Sequence, residues 1–322
     1  MPGIRVGVVG AGQFGKNHCR VVRESERAEL VAVCDCDPAR AAGAAEAFGA
    51  PPLTDYRQLP GRVDAAVVAT PTSTHSEIGC YLLERGIDVL VEKPIAADLV
   101  SATCLVESAA RYGRILQTGH LERFNPAVLE LEKRATLPLF FEVHRMNMFS
   151  PRSLDVDVVL DLMIHDVDLV LSLAGAEPLE IRAAGVSILS SKVDIANVRL
   201  LFPNGCVANL TASRISTGRI RKLRLFQPHQ YLSLDYDRQA LAVFSVNGDS
   251  GGNQIGFEQA SIEKMEPLKL QWEAFVDSVE TRRPAKCSGV AARQSLGVAL
   301  AILDKIKEHT EVVAQTLAGW KP

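Results

Sequence analysis

The run Gly10-Ala11-Gly12-Gln13-Phe14-Gly15 follows the β-rich stretch Ile4–Val9 and opens a helical pattern over about Phe14–Glu24. Few folds send a strand into a helix through three glycines. The first allows the tight turn. The second lets an anionic group approach the backbone at the helix N-terminus, and the third lets helix and strand pack closely. The same alternation then repeats. Leu30–Cys34 leads to a helix capped by Asp37, with Pro38 at its first position and Gly49 as its stop. Ala65–Ala69 leads to a helix over Ser76–Arg85, and Val89–Val91 to one over Asp98–Tyr112. Ile115–Thr118 is the fifth run. Strands that alternate with helices at this pitch predict a doubly wound parallel sheet, buried on both faces.

Beyond about residue 120 the pattern changes. A helix is expected over Pro126–Arg134, a strand over Leu139–Met148 and one long apolar helix over Val156–Leu173. Strand-like runs follow at Leu179–Leu189, Ala196–Phe202, Cys206–Ser213, Arg221–Phe226, Tyr231–Leu234 and Ala240–Val246. Helices over Leu270–Thr281 and Ala291–Lys307 finish the chain, and the small-residue stretch Gly248–Asn253 reads as a loop. The fold class is therefore α/β. A Rossmann domain over residues 1–120 is followed by an α+β domain over 121–322, built on a largely antiparallel sheet.

Length and composition agree with two packed domains: 322 residues, 47% hydrophobic. A net charge of −3, from 35 basic and 38 acidic side chains, argues against nucleic acid or an anionic membrane as partner. No apolar run reaches the ~20 residues of a membrane span, and MPGIRVGVVGAG lacks the features of a signal peptide. A cytoplasmic location is expected. The seven cysteines show no C-x-x-C pair, so reduced thiols and no metal are expected.

The glycine run gains meaning from Asp35, at the end of the second strand and about 20 residues past Gly15, where a carboxylate meets ribose hydroxyls. The context predicts a dinucleotide held by Gly10, Gly12, Gln13, Phe14, Gly15 and Asp35. Asp35 would repel a 2′-phosphate, which favours NAD over NADP, although Arg40 is close by. In an open parallel sheet, ligands gather beyond the carboxyl ends of the strands. There the chain puts Thr70, Pro71 and His75, then Glu92-Lys93-Pro94, then Gly119-His120. Thr70, Pro71, His75, Glu92 and Lys93 are accordingly expected around the cofactor. The ammonium of Lys93 could also hydrogen-bond a substrate oxygen and stabilise alkoxide charge.

A second constellation is Asp161, His165 and Asp168. On an α-helix, at about 100° per residue, the three share one face. Polar groups on a helix this apolar are costly unless partnered, so they are either a structural Asp–His pair or part of a site. No tyrosine has a lysine four positions later, and the cysteine spacing offers no zinc ligands. Lysine and histidine are left to handle a proton.

In this order, GAGQFG, Asp35, TPTSTH, Glu92-Lys93-Pro94 and DLMIHDVD make the chain similar to the Gfo/Idh/MocA oxidoreductases. The resemblance implies catalytic roles for Lys93, Asp161 and His165, and a cis Lys93–Pro94 peptide. One departure is the sequence Val156-Asp157-Val158-Val159-Leu160, where many members carry glycines. GHLERFNPA and DLMIHDVD most resemble the branch that oxidises nucleotide sugars at C3. That implies a nucleotide-activated amino sugar such as UDP-N-acetylglucosamine, with His165, Arg123, Asn125 and Arg152 on the substrate side. Arginine suits a diphosphate. A free sugar or inositol, or a non-catalytic NAD-binding sensor, are the alternatives. The basic run Arg214, Arg219, Arg221, Lys222 and Arg224 reads as a solvated strand face. Leu200, Phe202, Val207 and Leu223 are expected on an uncovered sheet face. Such a face would join the chain into a homodimer or homotetramer.

Overall fold

A computed structural model describes residues 3–150, 156–247 and 254–319. The chain forms two compact units. The first comprises residues 1–124 and 266–296, the second 125–265 and 297–322.

The first unit alternates β1 (Ile4–Val9), α1 (Gln13–Glu24), β2 (Ala28–Cys34), α2 (Pro38–Phe48), β3 (Pro52–Leu53), β4 (Ala65–Val68), α3 (His75–Glu84), β5 (Asp88–Val91), α4 (Leu99–Arg111) and β6 (Leu116–Thr118). All strand pairs are parallel, in the order β3-β2-β1-β4-β5-β6. This order reverses direction at β1 and β4, the switch point at which a doubly wound sheet binds its ligand. β3 is a strand the sequence patterns miss, because two residues carry no periodicity.

In the second unit, α5 (Pro126–Arg134) leads into β7 (Phe140–Met146). A π-helical segment, Val159–Met163, then runs straight into α6 (Ile164–Ala174). Seven strands follow: β8 (Glu180–Val186), β9 (Ile195–Leu201), β10 (Val207–Ser213), β11 (Ile220–Gln227), β12 (Gln230–Asp235), β13 (Ala240–Asn247) and β14 (Gln254–Gln259). The sheet order is β14-β13-β12-β11-β7-β10-β9-β8, antiparallel except for β7 and β10. β14 is absent from the sequence reading, and the expected loop Gly248–Asn253 lies outside the described residues. One face of the sheet packs under α5, α6 and residues 298–306 around a single core.

Three expectations are corrected. The domain boundary near residue 120 falls at 124/125, but the second domain is not one continuous segment. α7 (Pro267–Thr281) and the first part of α8 (Gly289–Ala318) return to the first unit. There Leu268, Trp272, Phe275, Val276 and Val279 join the core of the parallel sheet. Periodicity shows that a helix has a face to bury, not which surface covers it. Second, Leu200, Phe202 and Leu223 are buried in the core of the second unit. Alternation along a strand sorts residues into two sets but does not say which set faces inward. Val207 does lie on the other face, in a row that crosses the sheet by register: Phe257, Phe244, Tyr231, Phe226, Phe140, Val207 and Leu201. Third, the long helix is not uniformly α, because Ile164 donates to Val159, five residues back. Among the described residues, no helix is long and apolar enough to cross a membrane.

Candidate active site

The glycine loop joins β1 to α1. Gly10 has φ +97, and a Cβ there would lie 2.4 Å from the Ala69 carbonyl oxygen. A Cβ on Gly15 would lie 1.7 Å from the Gly10 oxygen, so strand, turn and helix close tightly. A Cβ on Gly12 would meet nothing within 4 Å. Space is therefore open at the one glycine expected to face a ligand, and no side chain caps α1. Gln13 and Phe14 are exposed beside it.

Asp35 is 8% exposed at the end of β2. Its Oδ2 accepts the Ala11 N–H at 2.8 Å, and its Oδ1 accepts the Asp37 N–H at 2.9 Å. The carboxylate is thus anchored to the glycine loop. The exposed Arg40 reaches Asp35 at 3.3 Å and Asp37 at 3.4 Å, so two carboxylates already draw on its charge. An open loop backbone and a fixed carboxylate at the switch point fit the pyrophosphate and ribose of a dinucleotide.

At the start of α3, just beyond the end of β4, His75 is fully buried. Its Nδ1 faces the Pro94 carbonyl at 3.0 Å and its Nε2 the Thr70 carbonyl at 2.9 Å. Burial pulls its pKa below the ordinary histidine value, against the pull of those carbonyls. His75 is therefore a strut between two strand ends. Anything it contributes to a cofactor passes through Thr70 and Pro94. The Thr74 hydroxyl donates to the Pro71 carbonyl at 2.8 Å and lies 2.8 Å from the Thr70 hydroxyl, which tightens the same turn.

Lys93 is half-buried at the end of β5, and the Lys93–Pro94 peptide is cis. The Glu92 carboxylate takes the Lys93 backbone N–H at 3.3 Å on Oε2, and the His18 ring bonds Oε1 at 2.7 Å. Burial pushes the Glu92 carboxyl up, but His18, Lys93 and the Lys93 N–H together hold it below the usual carboxylate range. His18 is absent from the sequence reading. Its only signal there is a polar residue one turn after Gly15 on the buried side of α1.

In the second unit, Asp161 lies in the π-helical segment and His165 on the first turn of α6. Both are half-buried, while Asp168 is buried. The π turn winds more slowly than an α-helix, so the uniform 100° per residue of the expected helix does not run through Asp161. Single π turns often mark functional positions. The entry into this segment is fixed by Asp157, whose Oδ1 accepts the Val193 N–H, and by Val158, whose N–H donates to Val193. Behind His165, Arg145 forks onto Asp166 at 2.6 and 2.7 Å, with both side chains buried. The Tyr236 hydroxyl also donates to Asp166, at 3.3 Å. This pair, too, is missing from the sequence reading.

The expected substrate residues fare unevenly. Arg123 is buried in the first unit. Asn125 is buried and committed to the fold at both ends of its amide: Oδ1 caps α5 at Ala127 and Nδ2 donates to the Tyr236 carbonyl. Arg152 lies outside the described residues. In the basic run, Arg219 pairs with Asp237, Lys222 with Asp235 and Arg224 with Glu142. Arg214 is buried and donates to the Val156 carbonyl. Among the described residues, no cluster of three His, Cys, Asp or Glu side chains could hold a metal.

Comparison with known proteins agrees with this chemistry. Residues 4–120 match the family model "Oxidoreductase family, NAD-binding Rossmann fold". Residues 138–227 match the "GFO/IDH/MocA C-terminal domain". The chain is 35% identical over 305 residues to UDP-N-acetylglucosamine 3-dehydrogenase of Acidithiobacillus ferrooxidans, covering 93% of this chain and 96% of that one. It is 29% identical to inositol 2-dehydrogenase of Rhizobium meliloti, covering 96% and 98%. A solved structure of the Acidithiobacillus ferrooxidans UDP-N-acetylglucosamine 3-dehydrogenase superposes with a TM-score of 0.90 at 34% identity, over 96% of this chain and 99% of that one. With a glycine loop open at Gly12, a carboxylate anchored at Asp35 and likeness along nearly the whole chain, this protein belongs to the Gfo/Idh/MocA family of NAD-dependent oxidoreductases.

Proposed function

We propose that the chain oxidises a secondary alcohol of a nucleotide-activated amino sugar, at C3 of UDP-N-acetylglucosamine or a close analogue. The observation that carries the reading is likeness along 93% of the chain to an enzyme named for that substrate. Gly10, Gly12, Gln13, Phe14, Gly15, Asp35, Thr70, Pro71 and Glu92 hold NAD. NAD, when bound there, would supply the hydride acceptor. Lys93 donates a hydrogen bond to the reacting oxygen and stabilises alkoxide charge on it. His165 accepts the hydroxyl proton, a task suited to a group that ordinarily titrates near neutrality, and Asp161 orients its ring. Binding energy from the nucleotide, remote from the reacting carbon, positions the hydroxyl. Arg123 and Arg152 are the cations assigned to the diphosphate.

A free polyol is the second reading, favoured by the 29% identity to an inositol 2-dehydrogenase. The protein is incubated with NAD and a panel of nucleotide sugars, free sugars and inositols, and the nicotinamide absorbance is followed. Turnover of UDP-N-acetylglucosamine well above that of the free sugars supports the proposal. Turnover of inositols alone removes the nucleotide sugar and leaves a polyol dehydrogenase.

A further inference from the structure

We propose that His18 is a positioning residue for this reaction, gripping the Glu92 carboxylate so that it clamps the backbone of Lys93. The inference rests on the dehydrogenase reading for its consequence, but not for its geometry.

α1 buries Gly15, His18, Cys19, Val21 and Val22. A histidine 1% exposed among apolar residues is costly unless its ring is partnered. Its partner is 74 residues away in sequence, at the end of a different strand: Nε2 lies 2.7 Å from Glu92 Oε1. The Glu92 side chain is itself only 14% exposed. The carboxylate is held from three sides. His18 reaches it from α1, and the Lys93 N–H meets its other oxygen. At the end of β6, a Cβ on Gly119 would come within 2.8–2.9 Å of the carboxyl atoms. The absence of a side chain at 119 is what leaves room for Glu92.

His18 Nδ1 is buried and has no hydrogen-bond partner among the described residues. Against a carboxylate, which only accepts, Nε2 must carry the proton, so the donor to Glu92 is fixed. This makes His18 a fixed anchor. The charged or titratable groups that influence the carboxylate are His18 from α1, Lys93 from its own strand and His75 from α3. The result is a chain of contacts from the helix after the glycine loop, through Glu92, to the backbone that presents the Lys93 ammonium. Small displacements of a positioned catalytic group cost on the order of 10²-fold in rate.

The test compares full-length wild type with His18→Leu, which has no donor, and His18→Gln, which has a neutral donor near the place of Nε2. The first readout needs no substrate: amide hydrogen exchange at Lys93. The expected result is exchange at least about tenfold faster in His18→Leu, recovery in His18→Gln, and unchanged protection at Leu90. The second readout is kinetic. In His18→Leu, kcat falls about 10–100-fold while KM for NAD and for the sugar stay within about twofold. In His18→Gln, kcat recovers most of that loss. If His18→Leu fails to fold, Glu92→Gln carries the test, with the Lys93 amide expected to loosen and kcat expected to fall with it. Wild-type Lys93 protection or wild-type kcat in His18→Leu overturns the proposal. So does a loss of rate in both His18 variants with Lys93 protection unchanged. If the wild type turns over no sugar while Lys93 protection still depends on His18, the functional reading fails and the positioning role stands.

Discussion

The proposed reaction assigns the hydrogen bond to Lys93 and the proton to His165, and their removal is expected to have separable effects. Lys93→Met and His165→Ala are each expected to lower kcat by about 10²–10⁴, the scale of a lost acid–base group. NAD affinity, measured by fluorescence titration, is expected to stay near wild type. Near-wild-type turnover in either variant contradicts that residue's role. Asp35 is the residue proposed to set cofactor choice. Its carboxylate is anchored by Ala11 and Asp37 and lies 3.3 Å from Arg40. Asp35→Ala is expected to narrow the preference for NAD over NADP in kcat/KM, because it removes the repulsion and frees Arg40 for a 2′-phosphate. A wild type that prefers NADP contradicts the assignment. The glycine loop and Asp35 were legible in the sequence because their roles are local: strand, turn and helix are contiguous. Glu92 stood out beside Lys93, but its partner His18 did not, since a single histidine on a helix says nothing about a partner 74 positions away. Asn125 was misleading for the opposite reason. A polar residue in a motif looked available to substrate, and the fold uses its amide as a helix cap and a tie to Tyr236.

At the scale of the element, α6 is held by the buried fork between Arg145 of β7 and Asp166, next in sequence to His165. Removing one member of such a pair leaves an uncompensated buried charge, worth about 3–5 kcal/mol. Asp166→Ala is expected to lose stability on that scale in chemical denaturation. The double change Arg145→Met with Asp166→Leu is expected to lose less, because no charge is stranded. Equal losses would show that the fork contributes packing alone. Apolar periodicity made the helix visible in the sequence, and its polar positions marked it as unusual. The π segment was not visible, because it is set by anchors from elsewhere in the unit, such as Asp157 to Val193. Strands of six to eight residues were found for the most part. β14 was overlooked because QIGFEQ has few apolar residues to betray its alternation.

For the whole molecule, the open face of the eight-stranded sheet carries the row Phe257, Phe244, Tyr231, Phe226 and Phe140, with neighbouring ring centroids 4.7–5.8 Å apart. Phe257 is 63% exposed and Ile255 beside it is 79% exposed. The adjoining rows are polar, with Arg224, Glu142, Asn209 and Arg199 in register. An aromatic stripe rimmed by charges suits a second copy of the same sheet, face to face. A dimer or tetramer is therefore expected by light scattering at micromolar concentration. Phe244→Glu is expected to shift it toward the 34.9 kDa chain. A monomeric wild type contradicts this. The sheet was foreseen and its uncovered face was foreseen, but the residues assigned to that face were mostly those of the other one.

The central claim is that hydride leaves C3 of a nucleotide-activated amino sugar. UDP-N-acetylglucosamine carrying deuterium at C3 is incubated with the protein and NAD, and the reduced cofactor is isolated for proton NMR. One deuterium at nicotinamide C4 and a keto group at sugar C3 are expected. Reduced cofactor without deuterium, or deuterium retained on the sugar, would contradict it.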